Sequence, residues 1–295
     1  MGAEQLSQEM QEEPVASLLA NLNLLHPSGR LKRGAVLLFT REPDRWFRHA
    51  RVQMAHVESD ETTLSDEHRV TGPLTTQLEE TINWLRKHMK ITYEFPGNGT
   101  GVGVLQRQEV WEIPLIALRE ALLNAFLHRD YTALSAIHVR VYRDKVVIEN
   151  PGGLSERLTI ADLLRRHNSL PRNPLLADIA YKMKLVEIWG TGTLRMVQAC
   201  VAARLPAPDF VSGPAGFSVT LWRDKYSPES LRTQGISDRQ IEAMRVVQEK
   251  GDITNRVYRE MFGLSDEAAR NELNDLIERV LLHRVGAGRS VRYTL

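Results

Sequence analysis

The sequence predicts an α+β fold, with a central αβ block followed by a small helical module. Three observations carry this. Residues Glu112 to Tyr131 place Leu115, Leu118, Leu122 and Phe126 at the helical period, the signature of an amphipathic helix. Short alternating strands follow it, with Ile137, Val139 and Val141 on one side of the first and Phe217, Val219 and Leu221 in a later one. Three short helical segments then precede a glycine-separated pair of strands at the C-terminal end.

The chain has 295 residues, enough for one large domain or two to three small ones. A hydrophobic share of 42% and a charged share of 25% are ordinary for a globular protein. The net charge of +1 announces neither nucleic acid nor membrane. Cys200 is the single cysteine, which excludes a disulfide scaffold and cysteine-rich zinc sites. It lies in MVQACVAA, a helical apolar run, and reads as core rather than nucleophile. No apolar run approaches bilayer length, and the start, MGAEQLSQEMQEEP, has no secretory pattern. Cytoplasm is the default expectation.

Taken in order, residues 1–14 read as a disordered lead-in. SLLANLNLL forms a short helix that ends in a turn at His26-Pro27-Ser28-Gly29. Ala35 to Thr40 reads as a buried strand, and Ala50 to Val57 alternates as a second. The acidic stretch Ser59 to His68 reads as a loop. Pro73 to Met89 repeats Leu74, Leu78, Ile82 and Leu85 as a second amphipathic helix. Pro96 to Gly103 lacks both the P-loop ending and the dinucleotide glycine spacing, so it reads as a flexible connection.

Beyond the central helix, Val146 to Glu149 follows the Arg143-Asp144-Lys145 turn as a strand and ends at Asn150-Pro151-Gly152-Gly153. Thr159 with Asp162 starts a short helix as a capping box. Asn173-Pro174 starts another, with Asn as cap and Pro in the first helical position. Glu187-Ile188-Trp189 leads into Gly190-Thr191-Gly192 and a helix from Thr193 to Arg204. The domain plan is then a lead-in over 1–14, an αβ segment over 15–105, a core block over 106–226, a linker over 227–236 and a C-terminal module over 237–295.

On the central helix, Glu120, Asn124 and His128 fall at i, i+4 and i+8, one polar stripe. Alone it reads equally well as a solvated face. The two glycine turns change its meaning. Gly190, Thr191 and Gly192 present backbone N–H groups at a helix N-terminus, where phosphate is well held. Magnesium on phosphate needs only one or two protein oxygens, which Asn124 can supply. Glu120, one turn away, can position or deprotonate a water.

These segments together resemble a known family. Glu120-Ala-Leu-Leu-Asn124 matches the first motif of the superfamily of DNA gyrase, the ninety-kilodalton heat-shock chaperone, histidine kinases and MutL (GHKL). Residues from about Ala117 to Leu221 are similar to the divergent ATPase domain of RecG-related, helix-turn-helix-containing bacterial regulators. The similarity runs through ALREALLNAFLHRDY, ENPGGL, Ser169 to Pro174 and EIWGTGTLRM. Upstream, LLHPSGRLKRGAVLLF and GPLTTQLEETI resemble the segment between the Schlafen-type AlbA domain and the ATPase domain of such proteins. The AlbA domain itself is not in this sequence, which is expected to be a short or a truncated member.

The resemblance implies a two-layer α/β sandwich of Bergerat type, an antiparallel mixed sheet covered by helices on one face, with ATP between helix and lid. It implies that Asn124 holds Mg²⁺, that Glu120 is the general base, and that Gly190, Thr191 and Gly192 wrap the phosphates. Gly152 and Gly153 then lie under the adenine, with His128 and Arg172 as further cofactor contacts. The superfamily places Asp before the first glycine pair to bind the adenine amino group. Here Glu149 and Asn150 stand there, with Pro151 where glycine is expected. Asn both donates and accepts, so adenine recognition stays open beside a changed base or an inactive site. His128-Arg129-Asp130 mimics a kinase catalytic loop without its other motifs. The triplet either lines the site or holds an Arg129–Asp130 pair.

Asp238 to Lys250, Asn255 to Phe262 and Asp266 to Arg279 read as three helices. Val280 to Val285 and Ser290 to Leu295 follow as a hairpin, which makes a winged-helix pattern. Arg270 and Asn271 on its third helix and Arg289 and Arg292 in the wing are the DNA-contact candidates. Lys/Arg and Asp/Glu balance over this module, and Glu267, Glu272, Asp275 and Glu278 share the third helix, so protein interaction or dimerisation stays open. The expected function is an ATP- and Mg²⁺-binding transcriptional regulator whose nucleotide domain controls a winged-helix module, with weak ATP hydrolysis open. The alternative is a DNA-binding or protein-interaction scaffold with a degenerate, non-hydrolysing pocket. Nucleotide and DNA are the expected partners, a homodimer is open, and no membrane is involved. No motor motif supports a helicase.

Overall fold

In the computed structural model the described residues are 14–58, 63–94, 107–186, 190–224, 226–279, 281–286 and 288–295. They divide into two units, Met1–Arg223 and Asp224–Leu295. The first contains strands β1 (Val52–Val57), β2 (Leu64–Val70), β3 (Ile91–Glu94), β4 (Gln108–Trp111), β5 (Ile137–Val141), β6 (Lys145–Asn150), β7 (Asp209–Gly213) and β8 (Gly216–Trp222). Its helices are α1 (Val15–Asn21), α2 (Arg33–Phe39), α3 (Leu74–His88), α4 (Leu115–His128), α5 (Ile160–Leu163), α6 (Pro174–Lys182) and α7 (Gly192–Ala202).

Six strands form one mixed sheet in the order β2-β1-β5-β6-β8-β7, and β3 pairs with β4 in a separate ribbon. The β1–β5 pair is parallel, from Val52 opposite Ile137 to His56 opposite Val141; the others are antiparallel. Strand alternation sets one face of this sheet into the core. Ile137, Val139, Val141, Val146 and Ile148 are buried, while the residues between them are half-buried. Against that face lie α3 and α4, and α4 in turn packs on α7. Because α4 is covered on several sides, it buries Leu118, Ala121, Leu122, Leu123, Ala125 and Phe126 together. Leu115, expected on the buried stripe, is 39% exposed at the helix start.

Several sequence expectations are corrected. Ala35 to Thr40 is not a strand but most of α2, whose buried residues Gly34, Ala35, Leu37 and Leu38 lie on one helical face. A short apolar run has no decisive period, and Ala and Leu favour the helix. Part of the expected acidic loop is β2, an edge strand exposed along most of its length, which is why its composition reads as a loop. The strands β1 and β5, on either side of the boundary expected at 105/106, are neighbours in one sheet. The expected connection at Pro96 to Gly103 lies outside the described residues.

The second unit contains α8 (Pro228–Thr233), α9 (Asp238–Lys250), α10 (Asn255–Phe262), α11 (Asp266–Glu278) and the antiparallel pair β9 (His283–Val285) and β10 (Arg292–Thr294). The stretch expected as a linker is therefore mostly helix. Ser227 caps it through Ser230 N, Pro228 takes its first turn, and Leu231 is fully buried. A capping box between Ser237 and Gln240 starts α9, and Thr254 and Ser265 cap α10 and α11. This unit has its own core, in which Met244, Val247, Tyr258, Leu273, Leu276, Leu282 and Tyr293 pack together.

Candidate functional site

A cleft of the first unit opens between α4, the ends of β6 and β8, and the start of α7. Its wall includes Asn124, His128, Ile148, Asn150, Gly152, Gly153, Gly190, Gly192, Thr193 and Phe217. Counted out through its open mouth, solvent included, the space between these atoms is about 820 Å³. Asn124 and His128 of the stripe thus meet both glycine turns on one wall, while Glu120 lies outside that wall, against Gly192 and beside Arg195.

Three of these four glycines have a geometric reason. Gly190 has φ +62°, and a Cβ there would stand 2.2 Å from the His167 carbonyl oxygen. Gly192 opens α7 so close to α4 that a Cβ would stand 2.6 Å from Glu120 Oε2. Gly152 has φ +118° and faces the backbone of His128 and Asp130. The first turn of α7 therefore presents backbone N–H groups beside Glu120 and Asn124, with no Cβ between them.

The polar groups are unevenly engaged. Asn150 is 5% exposed, and its Oδ1 has no hydrogen-bond partner among the described residues. Thr193 Oγ1, also on the cleft wall, is buried in the same condition. Asn124 is half-buried on the wall. Glu120 is buried, and its Oε1 is 2.8 Å from an Arg195 guanidinium nitrogen. Among the described residues, no group of three or more His, Cys, Asp or Glu could hold a metal. A magnesium ion here would be shared between the Asn124 side-chain oxygen and a ligand's phosphates, which is the way this cation is commonly held.

Some expected site residues are elsewhere. Glu149 points to the opposite sheet face from Ile148 and Asn150, and pairs with Arg140 across the β5–β6 ladder. It does not line the cleft. Arg172 reaches the glycine turn from outside, donating from Nη2 to the Gly153 carbonyl at 3.1 Å. Thr191 is the residue before α7 and makes no side-chain cap. Asn173 precedes α6 but does not cap it with its side chain; its Nδ2 donates to the carbonyls of Leu127 and Arg129. Arg129 and Asp130 do not pair. Arg129 donates to the carbonyls of His49 and Ser135, while Asp130 accepts from Thr132. Glu187 to Trp189 lie outside the described residues.

Arg195, Thr193 and Phe217 are wall or partner residues that the sequence alone does not single out. Arg195 sits one turn after Gly192, within the EIWGTGTLRM segment. Its partner is 75 positions upstream by numbering, 195 − 120, so only packing brings them together.

Burial pushes the His128 imidazole down to about 4, with Arg172 and His167 adding repulsion to the protonated form. His128 is thus neutral at pH 7 and offers the cleft one donor and one acceptor. Its folded value lies below the ordinary 6.5, so the unfolded chain takes up the proton first as pH falls. Stability is fully present above pH 6.5 and is expected to drop by about 2 kcal/mol between pH 6.5 and 4. Urea unfolding across that range checks this: His128→Gln should lose that part of the pH dependence, and an unchanged slope would refute it.

In the second unit, Arg270 pairs with Asp266 at 2.8 Å and Arg292 with Asp252 at 3.1 Å. Asn271 is exposed on α11; Arg289 has no described side chain. Two acids of α11 serve the fold. Glu272 accepts from Tyr258 and Arg239, and Asp275 from Gln240 and Arg279. No helix among the described residues is long and apolar enough to cross a membrane.

In fold the chain is similar to the crystal structure of the DIP2311 protein from Corynebacterium diphtheriae, with a TM-score of 0.59 and 22% identity. The similarity covers 98% of this chain and 59% of that one, so the chain spans under two thirds of that protein. No curated protein matches the sequence. Residues 135–221 match the family model described as "Putative ATP-dependent DNA helicase recG C-terminal". This match spans β5 through most of β8, including both glycine turns, and ends before the second unit. The middle of the chain is thus similar to an ATPase-like, RecG-related domain.

Proposed function

We propose that the cleft binds ATP with Mg²⁺ and that the second unit is a winged-helix module that contacts DNA under its control. The observation that carries the nucleotide reading is the buried, partnerless Oδ1 of Asn150 at the wall of a cleft lined by glycine turns. Leaving a buried acceptor unmatched costs about 1–3 kcal/mol, which a donor such as the adenine amino group recovers. Phosphates then lie toward Gly190 to Gly192, with Mg²⁺ at Asn124. Bound there, the metal ion supplies charge neutralisation for the phosphate oxygens.

Binding without rapid turnover fits the site best. The Arg195 guanidinium occupies one oxygen of Glu120, so that carboxylate is held as an ion pair rather than left to accept a proton from water. The expected role is a sensor in which nucleotide occupancy sets the activity of the second unit.

Asn150→Leu keeps the side chain's approximate size and removes its amide. ATP affinity measured by calorimetry with Mg²⁺ is expected to fall about 10- to 100-fold, and the preference for ATP over GTP to disappear. Equal affinity in variant and wild type would remove adenine recognition from Asn150.

A second reading is favoured by one observation. The Arg270–Asp266 and Arg292–Asp252 pairs leave two of the proposed DNA contacts already neutralised. This suits a protein partner, and DNA retardation assays at several salt concentrations separate the readings. A steep loss of affinity with salt supports DNA.

A further inference from the structure

We propose that a second cleft of the first unit, formed by the α1–α2 loop, the residues following α4 and the start of α6, is a binding site for a phosphate-bearing small molecule. Arg30, Lys32, Arg33, Arg129 and Arg172 line it, against the single carboxylate of Asp130. That carboxylate is engaged by the backbone N–H and hydroxyl of Thr132. Neutral donors leave its charge in place, so the cleft holds five cationic side chains against one carboxylate.

Arg129 is the second observation. It is 1% exposed, yet its Nε and Nη1 have no hydrogen-bond partner among the described residues. Its remaining nitrogen, Nη2, donates to two backbone carbonyls. Carbonyl dipoles do not neutralise a buried guanidinium; the Tyr131 ring beneath it and Asp130 favour its charge only in part, and Arg51 nearby adds like charge. The result is an arginine pushed down to about 10, mainly by burial. An anion in the cleft offsets this charge across low-dielectric material, where the attraction is strongest.

The third component is α6, a helix of nine residues whose N-cap side chain is diverted elsewhere. The Asn173 amide donates to the carbonyls of Leu127 and Arg129 instead of turning to the helix. The N–H groups of Leu175 and Leu176 thus lack a side-chain cap at a position that faces the cationic lining. Arg30 and Arg33 are exposed, so they are available at the mouth. Leu37 and Phe47 supply an apolar wall. A phosphate ester with an organic group fits such a concave, two-sided site; a continuous polyanion needs an extended basic track.

The site shares no lining residue with the proposed ATP cleft but adjoins it through Arg172, which donates to the Gly153 carbonyl, so its test is run without Mg²⁺ and without nucleotide. Calorimetry and thermal melts of the full chain use inorganic pyrophosphate as probe. Saturable binding is expected, with a melting-point rise of about 3 °C near saturation. Arg30→Gln with Arg33→Gln, both surface changes, should weaken it about tenfold or more while Mg²⁺-ATP affinity stays within about twofold. Asn150→Leu should leave pyrophosphate binding intact. Three outcomes overturn the proposal: no saturable binding, binding indifferent to the arginine pair and displaced by ATP, or capture of a single-stranded oligonucleotide through those arginines with none of pyrophosphate.

Discussion

Gly190→Ala is expected to abolish nucleotide binding and to destabilise the first unit by about 4 kcal/mol. Two independent costs add. At φ +62° a side chain sits in the left-handed region, which disfavours residues with a Cβ by about 1–2 kcal/mol. The new Cβ would also stand 2.2 Å from the His167 carbonyl oxygen and 3.1 Å from Ser169 N. Both are backbone atoms, so rotamer changes cannot relieve the clash and the segment must shift. Since His167 and Ser169 line the same cleft, that shift deforms the wall on which a ligand would lie.

Gly29→Ala is the matched control. Gly29 has φ +79°, and a Cβ added there would meet nothing within 4 Å, so only the backbone cost of about 1 kcal/mol applies. Urea unfolding of both variants separates conformational strain from packing, and calorimetry with Mg²⁺-ATP reads the binding loss. Equal destabilisation of the two would show that the 167–169 segment yields freely and that the glycine turn is not a fixed cradle.

Much of the site is legible in the sequence because its signals are local. Glycine turns, the Glu-x-x-x-Asn spacing and the alternation of β5 and β6 are all written within a few residues. The position of Glu149 follows from one such signal. With Ile148 facing the core, a period of two sends Asn150 to the same face and Glu149 to the other, so the two cannot both line one cleft. The Ser227-Pro228 start of α8 is similarly readable as a cap followed by a first-turn proline.

What is not legible depends on tertiary packing. The edge strand β2 is polar on both faces, so composition alone leaves it indistinguishable from a loop until β1 is beside it. The helical state of Ala35 to Phe39 follows from which residues find a neighbour, since so short an apolar run carries no clear period. The buried state of Arg129 is likewise hidden, because an arginine next to an aspartate in sequence suggests an ion pair. Here the carboxylate turns instead to Thr132.

The Glu120–Arg195 pair is where stability and chemistry are set by one contact. Arg195→Met is expected to destabilise the first unit by about 3 kcal/mol, because it removes the guanidinium from a carboxylate whose side chain is only 8% exposed. Glu120→Gln should cost less, about 1 kcal/mol, since Arg195 is 29% exposed and retains access to water. The double variant should recover much of the loss and cost about 1 kcal/mol, a coupling of about 3 kcal/mol in a double-mutant cycle. Turnover then distinguishes what the pair does. If Arg195 holds Glu120 away from water, Arg195→Met raises Mg²⁺-dependent ATP hydrolysis about tenfold over wild type, and adding Glu120→Gln removes that gain. Equal losses of turnover and ATP affinity in Arg195→Met would instead make Arg195 a contact for the phosphates. The cycle keeps these outcomes apart from simple unfolding, because the double variant restores the fold while leaving the site without its carboxylate.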